Sequence, residues 1–66
     1  MENVLKLEAG KVSIAVEKHA YAKHPFWLIK NESGIRTKCS SYNTFEDAAS
    51  DALRGFNRYI HLIART

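Results

Sequence analysis

Cys39, three histidines and a set of arginines near the C-terminus are the side chains through which this chain could do chemistry. A cysteine nucleophile needs an activating base and some exposure. Strand parity places Cys39 inward, beside Thr37 and Trp27, so it is expected to behave as a small buried hydrophobe. His19 and His24 flank a loop containing Tyr21 and Lys23, and His61 falls on a helix. Zinc needs three or four convergent ligands, usually with closely spaced Cys or His pairs. With one cysteine and no close histidine pair, no metal and no other cofactor is expected.

The carboxylates offer no acid–base couple either. Glu2, Glu8 and Glu17 fall on the outer row of a first hairpin, with Glu2 facing Glu17, as solvated like charges rather than a pair in a pocket. Gly10, Gly34 and Gly55 are isolated, so there is no glycine-rich phosphate loop. A domain this small has little volume for a substrate pocket. The expectation is a protein that is not an enzyme and takes no small-molecule substrate.

Arg54, Arg58, His61 and Arg65 project within about 60° of one another on a helix and could follow a phosphate backbone. The same face begins with Asp47 and Asp51. Acids early and bases late are what any solvated helix favours, so the stripe is expected to face water. From residue 44 onward three arginines balance three acids, and the net charge of +3 resides in residues 1–43. Attraction to an anionic partner should therefore come from the strands and loops.

The elements that position these residues are legible from hydrophobic period. Val12, Ile14 and Val16 alternate with Ser13, Ala15 and Glu17, the period of a half-buried strand. Leu5 and Leu7 alternate before them, and a loop at Ala9-Gly10 pairs Leu7 with Val12 and Leu5 with Ile14. After a polar loop from His19 to His24, Pro25 leads into Phe26-Trp27-Leu28-Ile29-Lys30, a third strand. Asn31 to Gly34 reads as a turn closed by Asn31 and Ile35, with Ile35 to Cys39 returning as the fourth strand. That closure sets Trp27, Ile29, Ile35, Thr37 and Cys39 on the core face. Val4, Lys6, Ala15, Phe26, Leu28, Lys30, Arg36 and Lys38 then lie on the opposite face.

From Thr44 to Arg65 the chain reads as one amphipathic helix. Phe45, Ala48, Ala49, Ala52, Leu53, Phe56, Tyr59, Ile60 and Ile63 form its apolar stripe. Thr44 with Asp47 three residues on makes a capping pattern. Gly55 interrupts the helix on the flank between its faces, as a tolerated defect.

The expected fold is α+β: a four-stranded antiparallel sheet in ββββα order, one face covered by the C-terminal helix, forming a single domain over residues 1–66. At 66 residues the core is small, and one cysteine allows no internal disulfide. The lone cysteine and a start without a signal-peptide pattern suit the cytoplasm. No run approaches a membrane span, and the chain reads as a complete small gene product.

The functional expectation is a non-enzymatic binding protein, a protein-interaction or inhibitor-like accessory module that engages a protein partner or a second copy of itself. It would use the open sheet face, through Phe26, Leu28, Lys30, Arg36 and Lys38, or an edge strand. The alternative is a single-stranded nucleic-acid binder that adds Lys6, Arg54 and Arg58 as phosphate contacts.

Overall fold

A computed structural model describes residues 2–64. The chain forms β1 (Glu2–Ala9), β2 (Val12–Lys18), β3 (Phe26–Glu32), β4 (Ile35–Tyr42) and α1 (Phe45–Ala64). The strands pair antiparallel in the order β1-β2-β3-β4, so sequence neighbours are spatial neighbours and β1 and β4 are the two edges. The ββββα architecture is the one the hydrophobic periods predict.

Turn chemistry fixes the registers. Gly10 (φ 60°) opens the first two-residue turn, and Ala9 closes against Val12. Leu7 therefore faces Ile14 and Leu5 faces Val16. This is two residues away from the expected register, so the same apolar rows share one face. Ser33 (φ 52°) and Gly34 (φ 87°) both adopt positive φ, the signature of a type I′ turn, and Glu32 closes against Ile35. The expected closure at Asn31 was one residue off, and a one-residue slip exchanges the faces. Phe26, Leu28 and Lys30 consequently lie on the helix side, in register with Val16 and Ile14, while Trp27 and Ile29 lie on the open side.

Two bulges complete the sheet. Val4 is the extra residue in β1 and packs against the helix-side core rather than on the open face; Cys39 is the extra residue in β4. Asn3, not Glu2, is the residue opposite Glu17.

The helix covers the sheet over a core centred on Val16, Ala48 and Ala52, each with no exposed surface. Val4, Leu5, Ile14, Phe26, Leu28 and Tyr42 pack around it. Thr44 caps the helix, its hydroxyl accepting from the Asp47 amide at 3.2 Å, with Glu46 and Asp47 in the first turn. Not all of the predicted stripe is core: Phe45, Leu53 and Ile60 remain 36%, 47% and 38% exposed. Arg65 lies outside the described residues, as does the side chain of Ile63. Among the described residues no helix is long and apolar enough to cross a membrane.

Gly55 sits above β2, where a Cβ would meet only the Ile14 Cδ1 atom at 3.8 Å, an ordinary contact. Gly55→Ala is therefore expected to stabilise the fold by about 1 kcal/mol. Thermal unfolding should show a midpoint raised by roughly 5 °C. A lowered midpoint would mean that the groove beside the helix cannot accept the methyl group.

Candidate interaction surface

The open side of the sheet is not bare. Ile29 and Ala15 lie on it, yet they are only 4% and 9% exposed, although no helix covers them. Their cover is a layer of long side chains from the same sheet. Glu17 on β2 and Arg36 on β4 reach toward each other over the intervening β3 and form a two-pronged ion pair. Arg36 Nη2 donates to Glu17 Oε1 at 2.7 Å, and Nη1 donates to Oε2. His19 Nε2 also meets Glu17 Oε1, at 3.0 Å. Glu17 is thus a buried carboxylate on the solvent side of a sheet, its side chain only 6% exposed against 47% for Arg36. The Arg36 hydrogen bonds hold its carboxyl below the usual carboxylate range, against the opposing effect of burial.

Trp27 anchors the other half of this layer. Its indole N–H donates to the His24 carbonyl at 3.0 Å, pinning the loop between β2 and β3. The His19 ring stacks on the indole with centroids 3.8 Å apart and planes 19° from parallel. Lys38 Nζ stands 3.9 Å from the indole centroid. Two groups that close cannot share one ring face, so the indole is held between imidazole and ammonium. The loop is further tied by His24 Nδ1, which donates to Asn43 Oδ1 at 2.6 Å. Tyr21 stands at its tip with its side chain in solvent.

The proposed binding residues therefore separate. Arg36 and Lys38 occupy the open face, as expected. Phe26 and Leu28 do not: they pack beneath the helix, and Phe26 meets Phe45 edge-on with centroids 6.2 Å apart. Lys30 shares their face and pairs with Glu32 at 3.4 Å. Lys6 lies on the open side of β1 beside Glu8, at 3.6 Å. Arg54 and Arg58 line a recess between helix and β4 on the other side of the sheet, and Arg54 pairs with Asp51 at 3.3 Å. The structure does not bring Lys6 and these two arginines onto one surface.

Cys39 is also placed differently. Ejected from the ladder by the bulge, it is exposed rather than buried. It borders an apolar groove of about 250 Å³ on the helix side, floored by Val12, Ile14, Leu28 and Tyr59. Among the described residues no group of three His, Cys, Asp or Glu side chains could hold a metal ion.

The β4 edge is the feature that sequence reasoning undervalued. Every residue from Ile35 to Ser40 is exposed, Ile35 by 70%. In a type I′ hairpin the closing pair exchanges its main-chain hydrogen bonds, and bonded and non-bonded pairs then alternate. With Glu32–Ile35 as the closing pair and Lys30–Thr37 next in phase, Arg36 and Lys38 turn their N–H and C=O groups outward. Their side chains meanwhile stand on the open face. The positive φ of Ser33 and Gly34 follows from a Ser-Gly pair after a strand, a turn signal present in the sequence. No protein-family model matches the chain, and no curated protein or solved structure matches it either.

Proposed function

We propose that this chain is a small, non-enzymatic binding protein that accepts an acidic, extended segment of a protein partner along β4. The partner segment would join the sheet as a fifth strand. The observation that carries this reading is the β4 edge itself, exposed from Ile35 to Ser40 with two cationic residues whose main-chain groups point outward. Added strands take affinity from main-chain hydrogen bonds and specificity from alternate side chains. Acids at alternate partner positions would lie opposite Arg36 and Lys38 on the open face, adding to the ion pair and the ring contact that these side chains already make. The exposed, unpaired Cys39 suits a reducing cytosol.

Nucleic acid is the weaker partner for this geometry. Single-strand binders stack bases on open aromatic faces. Phe26 lies under the helix, and the indole of Trp27 is already held between His19 and Lys38.

Panning a library of displayed decapeptides should enrich sequences with Asp or Glu at alternate positions. The enriched peptide should shift the amide resonances of Arg36 and Lys38. Lys38→Pro removes an outward N–H that the sheet does not use, and should weaken binding at least tenfold, the loss of about 1.4 kcal/mol. Enrichment without alternating acids, or shifts confined to the helix, would refute the assignment. Tight binding of an oligonucleotide at low salt, with log K falling steeply in log salt, would replace it with the nucleic-acid reading.

A further inference from the structure

The opposite edge carries a different pattern of charge. Gly10 takes positive φ and Lys11 does not, so the β1–β2 turn is type II′, and Ala9–Val12 is its hydrogen-bonded closing pair. Counting back in phase, Leu7 and Leu5 bond to β2, while Lys6 and Glu8 turn their main-chain N–H and C=O groups outward. Both side chains are well exposed, at 51% and 65%.

A second copy pairing with this edge across a two-fold axis must set outward-turned residues against outward-turned residues. Three registers centred on this stretch satisfy that condition. Lys6 against Lys6 and Glu8 against Glu8 place like charges directly opposite, which destabilises a pair. The third sets Lys6 of each copy against Glu8 of the other, with Leu7 on the axis. It makes two opposite-charge pairs, each exchanging two main-chain hydrogen bonds. The β4 edge cannot do the same: with Arg36 and Lys38 turned outward, every such register sets cation against cation.

The apolar surface lies on the matching side. Asp51 and Gly55 border the recess over β3 and β4. On the helix wheel Leu53 and Ile60 fall on the other flank of the Ala48–Ala52 stripe, turned toward β1. They are 47% and 38% exposed. An axis perpendicular to the sheet keeps both helices on one side, so these flanks would line a shared trough above Leu5 and Leu7. The chain also exposes 4754 Å² for a mass of 7.5 kDa, about 500 Å² more than a folded monomer of that mass.

We propose that the protein is a two-fold dimer built by antiparallel pairing of β1 with β1 of a second copy, with Leu7 on the axis, giving one continuous eight-stranded sheet. This inference is independent of the partner assigned to β4 and leaves that edge open in both copies.

Sedimentation equilibrium tests it with charge variants of two exposed residues. The wild type should have twice the monomer mass at micromolar to millimolar concentration. Lys6→Glu and Glu8→Lys each create like-charge pairs and should weaken the dimer at least tenfold, about 1.4 kcal/mol. Mixing the two variants should restore the dimer as a heterodimer, because each supplies the charges the other lacks. Lys38→Pro should leave the dimer unchanged, which separates this result from the β4 assignment. A wild type that stays monomeric throughout would overturn the proposal. So would a dimer indifferent to both charge reversals, which would place the interface elsewhere.

Discussion

Replacing Arg36 by methionine is expected to destabilise the fold, and by more than replacing its partner Glu17 by glutamine does. The reason is the asymmetry of the pair. Glu17 is only 6% exposed and Arg36 is 47% exposed. Losing the arginine strands a buried carboxylate with His19 as its remaining charge-capable partner, whereas losing the carboxylate leaves an arginine that water can still solvate. Full burial of both ions would raise the penalty, and the half-exposed guanidinium brings it down. Glu17→Gln should accordingly cost less than Arg36→Met, about 1 kcal/mol.

The same pair sets the response to acid. The folded-state pKa of Glu17 is depressed, chiefly by its hydrogen bonds to Arg36. The folded state therefore holds this proton less tightly than the unfolded chain does. Its contribution is complete above the unfolded pKa and disappears as the pH falls through the folded one. Urea unfolding from about pH 6 down to about pH 2 should show wild-type stability declining. In Arg36→Met the largest lowering influence on the carboxyl is gone and burial is opposed only by the His19 contact, so the decline should shrink. Equal slopes in the two proteins would show that Glu17 is not the carboxylate that governs acid stability.

The distinction between Glu17 and Arg36 was not visible in hydropathy, and the reason is local. Residues 12–17 alternate strictly, so β2 admits one orientation, and even a two-residue error in its hairpin leaves the faces intact. Phe26-Trp27-Leu28-Ile29 is apolar in both rows and permits either orientation. Only the position of the next turn decides, and Ser33-Gly34 closing at Glu32 rather than Asn31 exchanges the rows. Both rows are apolar because both are covered: Phe26 and Leu28 by the helix, Ile29 by the side-chain layer around Arg36 and Trp27. Width explains the rest. A helix about 10 Å across cannot cover four strands spanning about 14 Å, so the edge residues Ile35 and Thr37 stay in solvent despite their inward parity. The exposure of the β4 edge follows from that same shortfall.

Exchanging Val16 and Ala52 is expected to show that helix and sheet are matched by volume rather than by apolar character. Both side chains have no exposed surface and belong to one buried cluster. Val16→Ala alone leaves a void that a small sheet cannot collapse around, at about 2 kcal/mol. Ala52→Val alone forces two methyl groups into the closest approach of helix and sheet, and adds the lower helix propensity of a β-branched residue. Its cost should also be about 2 kcal/mol. Combined, the second change fills the space left by the first, and the double variant should lose about 2 kcal/mol rather than the additive 4. Denaturant unfolding of all four proteins closes the cycle. Strict additivity would mean that the two side chains do not share a contact, and that the helix rests on Ala48 rather than on the Val16–Ala52 pair. A coupling of the expected size would show that the small residues of the helix are chosen to fit the large one beneath them.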